Sequence, residues 1–390
     1  QIFCNTASYL FNFAPFARKY VHDMLDGQRK NGKFRQITPK GGVDFYMDFM
    51  DGSAGWSDAG VLIPYRIYKR YGDEKILENS YAAMKKYADF KIKTLGKWYP
   101  TAVRTGIDRK YKKYISNYGQ SYGEWAEPTE VHITGFKDFA CPHPEETTAY
   151  IVYMLQTMAE IAEVLGKAED QKHFSEYAEK AKIGYGKLIE CPEFSLDTDR
   201  QSKLVRPLYM GLLDEKQAEF AKKRLIAALE NYDWRLGTGF LSTPFILYVL
   251  ENIDVEYAYK LLENEQMPGW LFMPKMNANT IWESWEGTQA QGGIASLDHY
   301  SKGAVLEWVF SEMCGIQVSG ENEFTIAPKV GGHFTFAKCE YQSVYGKVSC
   351  GWQRENGKTT YKVVIPANTT AKVILPSGER TLTAGEYEYT

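Results

Sequence analysis

Tyr150-Ile151-Val152-Tyr153-Met154-Leu155, continued by Met158, Ile161, Val164 and Leu165, places apolar residues three and four positions apart. That spacing lines them up on one face of a 3.6-residue turn, so the segment predicts an amphipathic α-helix. Gly166 follows as a C-terminal stop. The pattern recurs at 171–189, 215–230 and 299–313. Upstream, helices are expected from about Ala7 to Gln28, over 57–71 ending at Tyr71-Gly72-Asp73, and over about 74–95. The polar run Arg29-Lys30-Asn31-Gly32-Lys33 separates the first of these from the next.

Long loops lie at 29–56, 96–146, 190–202 and 264–298. Antiparallel helices joined alternately by short and long loops predict an α/α toroid, with the long loops gathered at one end to build a cleft. The count is ten or eleven helices, where a closed six-hairpin barrel has twelve, and the N-terminal side is where a helix is expected to be lacking. The composition changes near 315. Phe324-Thr325-Ile326-Ala327-Pro328, Lys347 to Trp352, Thr360 to Ile365 and Ala371 to Leu375 are short β-type runs, with Asn356-Gly357 and Ser377-Gly378 as turns between them. Helices followed by strands, without alternation, predict a helical domain over 1–314 and a small antiparallel β-sandwich over 315–390.

The bulk composition narrows the function classes. The 390 residues carry a net charge of −3, with no basic run that would mark a nucleic-acid or anionic-membrane partner. No apolar stretch reaches the roughly 18 residues of a membrane span, and the compartment stays open. The chain opens with Gln1, so its start is read as a processed end or a cut in a longer protein. Six cysteines lie far apart without a C-x-x-C pair, so neither zinc nor a disulfide framework is expected, and buried free thiols are. Cys339 and Cys350 could face each other across strands, but no pairing is assigned to them. Aromatic residues make up 15%, which suits a carbohydrate-lined cleft or a large aromatic core equally.

Chemistry concentrates in the loops. Thr280-Ile281-Trp282-Glu283-Ser284-Trp285-Glu286-Gly287 sets an acid between two tryptophans, and His299-Tyr300 follows. A carboxylate that moves a proton, beside flat apolar faces that hold a pyranose ring, is what a sugar-cleaving site needs. Neighbouring indoles strip water from a carboxylate and change its acidity. The structural alternative makes Trp282 and Trp285 core anchors and Glu283 a solvated helix-start acid. Glu286 could share the role of Glu283, though nearer solvent. His299 is either a donor to a sugar hydroxyl or a helix-start histidine bonded to backbone. Gly55-Trp56-Ser57-Asp58-Ala59 opens a helix that Ser57 or Asp58 can cap, with Trp56 at its mouth as a stacking face. Tyr122-Gly123-Glu124-Trp125-Ala126-Glu127-Pro128 repeats the aromatic-plus-acid theme, or is a loop packed by its own aromatics. There is no Walker loop, no G-x-G-x-x-G after a strand, no G-x-S-x-G elbow and no H-E-x-x-H, and no cofactor or metal is expected.

Five of these stretches stand in a characteristic order: Gly55 to Ala59, Gly123-Glu124-Trp125, Thr238-Gly239-Phe240-Leu241-Ser242-Thr243-Pro244, Thr280 to Glu283, and Ser296-Leu297-Asp298-His299-Tyr300. In that order they resemble the bacterial α-L-rhamnosidases of glycoside hydrolase family 78, over essentially the whole chain. The tail Ile365-Pro366-Ala367-Asn368-Thr369-Thr370-Ala371 is similar to that family's C-terminal β-domain. The resemblance implies an (α/α)6 barrel and inverting removal of terminal α-L-rhamnose from glycosides. It makes Glu283 the general base, lines the rhamnose pocket with Trp56, Trp125 and His299, and puts Glu124 at an acidic position where Asp is commoner; Asp58, Trp282 and Trp285 are taken as further candidate substrate contacts. It also implies an acid-rich segment with the general acid ahead of the helix that here begins Gln1-Ile2-Phe3.

That segment has no counterpart among these residues, so the chain is expected to carry the base half of the site and to hydrolyse very slowly alone. Two alternatives stand beside this. One is a self-contained α/α-barrel glycosidase with Glu124 or Glu127 as acid. The other is a non-catalytic carbohydrate-binding protein. The helix edge at the N-terminal gap is expected to favour self-association.

Overall fold

The computed structural model describes residues 1–42, 45–98, 106–133, 138, 141–287, 296–320 and 322–390. The helix expected over 7–28 is two helices, α1 (Cys4–Leu10) and α2 (Ala14–Asp26). Pro15 is the cause. It sits in the first turn of α2, where its missing N–H costs nothing, and Phe11 before it is extended. Next come α3 (Ala59–Tyr71), closed by the left-handed Gly72, and α4 (Glu74–Ile92). The helix read from Tyr150 is α5 (Pro144–Val164), which begins earlier, with Pro144, Glu145 and Glu146 in its first turn. Five more follow: α6 (Ala168–Leu188), α7 (Gln201–Tyr209), α8 (Glu215–Asn231), α9 (Ile246–Glu251) and α10 (Val255–Leu262). An Asp214–Gln217 capping box starts α8. The run 301–313, here α11, joins a 3₁₀ turn, an α turn and a π turn.

Burial alternates along this series. In α1, α3, α5, α7, α9 and α11 most of the circumference is buried, whereas α2, α4, α6, α8 and α10 bury one stripe each. A helix buried all round belongs to an inner layer and a striped one to an outer layer. Leaving aside the one-turn helices Arg109–Lys112 and Phe272–Lys275, the described residues give six inner and five outer helices, eleven in the toroid, within the ten or eleven counted from the sequence. The inner ring closes where α1 meets α11. There Thr6 Oγ1 donates to Ala304 O at 3.1 Å and Asn5 Nδ2 to Glu307 Oε1 at 2.7 Å.

From Ile316 the chain is β: β1 (Ile316–Val318), β2 (Glu323–Ile326), β3 (Phe336–Ser343), β4 (Gly346–Glu355), β5 (Lys358–Ile365), β6 (Thr370–Leu375), β7 (Gly378–Leu382) and β8 (Gly385–Tyr389). Two four-stranded sheets, β1-β2-β6-β7 and β3-β4-β5-β8, face each other. One pair departs from the expected antiparallel pattern: β2 and β6 run parallel, Phe324 opposite Ala371, because the chain crosses through the other sheet between them. Val348, Cys350, Trp352, Val363, Ala371 and Val373 fill the space between the sheets. Cys339 does lie directly opposite Cys350, and all six thiols are free, three buried and three half-buried.

The β unit is seated on the helices. Trp352 Nε1 donates to Met313 O at 2.8 Å, Tyr9 Oη to Ile316 O at 2.7 Å, and Lys329 bridges Glu251 and Glu312 at 2.8 and 2.9 Å. Buried side chains from both units form one continuous hydrophobic cluster. Among the described residues no helix is long and apolar enough to cross a membrane. None of the His, Cys, Asp and Glu groups among them gathers into a set that would hold a metal ion.

Candidate active site

Four loops from the inner helices interlock at one end of the toroid. Ser53 Oγ donates to Gln120 O at 3.1 Å and Ser121 Oγ to Ala54 O at 3.3 Å, joining the loop before α3 to the loop before α5. Phe240 N donates to Trp125 O at 2.8 Å, bringing in the loop before α9. The loop before α11 closes the set, as Trp285 Nε1 donates to Thr238 O at 2.8 Å and Thr129 N to Glu286 Oε1 at 2.7 Å. Two glycines permit this closeness. A Cβ on Gly239 would stand 2.4 Å from Trp125 O, and one on Gly55, at φ +72°, 2.6 Å from a Leu241 methyl.

Glu283 stands half-buried where these loops meet. Its Oε2 accepts from Ser296 N at 3.0 Å, while Glu283 N donates to Ser296 O at 2.9 Å, so the residue is locked to its own loop. Its Oε1 accepts from Trp125 Nε1 at 3.4 Å. From Trp125 a ring of aromatic contacts runs through Tyr122 (6.1 Å between centroids), Trp56 (5.0 Å), Phe240 (6.0 Å) and His299 (5.0 Å). His299 feels the charge of Glu283, which brings the ring back to its start. The structure therefore gathers Glu283, Trp56, Trp125 and His299, as the sequence predicts, and adds Tyr122 and Phe240.

His299 Nδ1 lies 2.9 Å from Ser301 Oγ and accepts from Ser301 N at 3.3 Å. A ring nitrogen that accepts from a backbone N–H carries no proton, so the neutral tautomer has its hydrogen on Nε2, ready to donate. Burial lowers the pKa of His299 below the usual 6.5, against the pull of Glu283, and favours that neutral form. The backbone bond expected of a merely structural histidine is present, and it also fixes the tautomer that a sugar hydroxyl would meet.

Four predicted contacts are buried in this structure. Asp58 has no exposed surface; Oδ2 accepts from Gly55 N at 2.6 Å and Oδ1 from Tyr87 Oη at 2.9 Å, so it braces the Trp56 loop. It also does not cap α3 through its side chain. Trp285 is 1% exposed, edge-on to Trp270, and Trp282 is 9% exposed, edge-on to Phe272. Both are core anchors beneath the acid, because each indole fills the space under the loop that carries Glu283. Glu124 is buried with both oxygens taken: Oε1 accepts from Ser242 N, and Oε2 from Ser242 Oγ and Arg206 Nη2, all at 2.7 Å. Glu127 is held likewise, by Arg200 at 2.5–3.0 Å and by Ser202 Oγ at 2.9 Å. Glu286 is spent on Thr129 and is buried, where nearer solvent was expected.

One charged residue was not foreseen. Lys302, fully buried in α11, donates from Nζ to Ala126 O at 3.0 Å and lies against the Trp285 and Phe240 faces at 4.4 and 5.1 Å. Its signal in the sequence is a lysine followed by Gly303-Ala304-Val305, in a run whose small and apolar neighbours leave no solvated side.

A helical toroid whose loop end holds a half-buried carboxylate within an aromatic ring has the architecture of a glycoside hydrolase. Residues 1–313 match the family described as bacterial alpha-L-rhamnosidase 6 hairpin glycosidase domain, and residues 317–389 match the bacterial alpha-L-rhamnosidase C-terminal domain. The chain belongs to this bacterial α-L-rhamnosidase family. An alpha-L-rhamnosidase of Streptomyces avermitilis is 28% identical over 385 residues, covering 97% of this chain and 34% of the relative. One from Formosa agariphila is 30% identical over 390 residues, covering 97% and 39%. The crystal structure of Streptomyces avermitilis α-L-rhamnosidase complexed with L-rhamnose superposes with a TM-score of 0.81 at 26% identity, over 99% of this chain and 37% of that one. The chain thus spans roughly a third to two-fifths of the length of these relatives.

Proposed function

We propose that this chain forms the water-activating half of an inverting α-L-rhamnosidase site, with Glu283 as general base. In this reading a water held at Glu283 attacks the anomeric carbon of a terminal α-L-rhamnosyl group. Its proton passes to the Glu283 carboxylate as the bond to the leaving oxygen breaks, and the product is β-L-rhamnose. Trp56, Trp125, Tyr122 and Phe240 supply apolar faces for the pyranose, and His299 Nε2 donates to one of its hydroxyls. The leading support is the setting of Glu283: it is half-buried, pinned by Ser296 N and Trp125 Nε1, and among the described residues it has no salt-bridge partner. A base needs an available lone pair in a fixed direction, and this arrangement leaves one.

The reading takes the general acid from residues outside these 390. Glu124 and Glu127, the alternative acids, each have both oxygens engaged, and their partners include Arg206 and Arg200. Removing an acid costs roughly 10²–10⁴-fold, and the loss falls on leaving groups that need a proton. The chain should therefore cleave a dinitrophenyl α-L-rhamnoside slowly and a methyl α-L-rhamnoside ~10²–10⁴-fold more slowly still. Proton NMR of the first product should show the β anomer. Equal rates on the two substrates, or α-L-rhamnose as first product, would refute the proposal. The β unit over 315–390 is assigned a supporting role, as the second of two domains after 1–314.

A further inference from the structure

Lys302 brings two parts of the site together. Its backbone oxygen accepts from Trp270 Nε1 at 3.0 Å, which fixes the start of α11 three residues after His299. Its side chain passes between the Trp285 and Phe240 faces and ends on Ala126 O. Ala126 is left-handed, at φ 58°, in the turn that carries Trp125. A non-glycine residue in that region is strained by about 1–2 kcal/mol and stays there only when its surroundings hold it. Phe240 N holds the preceding carbonyl of the same turn, and Gly239 lies directly against it.

We propose that Lys302 is a positioning residue of this site, an ammonium strut that fixes the 123–127 turn so that the Trp125 indole stays on Glu283. The inference rests on the reading of Glu283 as the base, but the strut itself is a property of the fold. The groups facing it are Glu124, Glu127, Glu283 and Glu286, with His299 close by and Arg206 and Arg200 behind the first two acids. Burial lowers the Lys302 pKa from 10.5 to about 7, against the pull of those four carboxylates. Its proton is therefore shed within the neutral range. A charge-assisted hydrogen bond is about twice as strong as a neutral one, so losing the proton loosens the hold on Ala126.

The test follows the intact chain by NMR from pH 5 to 11, with ¹³Cε-labelled lysine and ¹⁵N-labelled tryptophan. One lysine signal should titrate near pH 7, and the Trp125 indole N–H, assigned by its loss in Trp125→Phe, should shift through the same midpoint. Both steps should vanish in Lys302→Met and persist in His299→Asn, which removes the other group titrating nearby. Should Lys302→Met not fold, Lys302→Arg, which keeps a cation that cannot lose its proton, should likewise abolish the indole step. A Trp125 indole signal that is the same in Lys302→Met as in the wild type, or an indole step that survives at position 302 and disappears with His299, overturns the proposal. These signals need no turnover, so a wrong assignment of Glu283 as base would show in hydrolysis alone and leave them in place.

Discussion

His299 shows how one hydrogen bond can turn a common residue into a specific donor. Ser301 N occupies Nδ1, so the remaining proton sits on Nε2. The pKa of the group is lowered in the fold, so the folded chain binds fewer protons than the unfolded chain just below pH 6.5. Stability from this residue is therefore complete above 6.5 and falls as the pH drops from there through the folded value. An NMR titration of the ring should give a midpoint below 6.5; a midpoint above it would mean that Glu283, and not burial, controls the ring. Such detail was not legible in the sequence. The acid, the histidine and the aromatics could be listed from their spacing, but which of them face outward depends on packing. Trp285 and Trp56 look alike in the sequence. The indole N–H of the first is satisfied by Thr238 O inside the core, and the second lines the ring.

Loops become a site when they are tied to one another. The turn at 123–127 is gripped by Ser242 and Arg206 through Glu124, by Phe240 through Trp125, and by Arg200 and Ser202 through Glu127. None of these grips is local in sequence, so the partners of Glu124 and Glu127, Arg206 and Arg200 among them, are not legible from the 123–127 stretch. The helices were easier to read where they are long. α5, α6 and α8 each show their period over several turns, whereas α7 and α9 are short, the first interrupted by Pro207 and the second closely preceded by Pro244, so their pattern is swamped. Gly239 tests the loop-to-loop contact. Gly239→Ala puts a methyl 2.4 Å from Trp125 O, so the Trp125 turn must move. A displacement of about 1 Å near the reacting groups costs ~10²-fold in rate, so hydrolysis of an activated aryl rhamnoside should drop by about that factor. An unchanged rate would show that the turn is not held as argued.

At the scale of the molecule, eleven helices alternate between buried and striped faces, and the β unit shares their core. The expectation of a helical toroid followed by a small sandwich came from the switch of period near 315 and stands, with the parallel β2–β6 pair as its one departure. Leu10, Phe11 and Phe16 remain exposed along the α1–α2 edge, at 41%, 64% and 61%. Exposed apolar side chains on one edge favour association. Sedimentation velocity should show a concentration-dependent shift toward a dimer, reduced in Phe11→Ser/Phe16→Ser; a single monomeric species at every concentration would remove this edge as an interface. The most direct measurement compares wild type and Glu283→Gln on a dinitrophenyl α-L-rhamnoside, a substrate whose leaving group needs no acid. Replacing the base by its neutral isostere should lower the residual rate by ~10²–10⁴-fold with the fold intact. A variant that retains the wild-type rate would contradict the assignment.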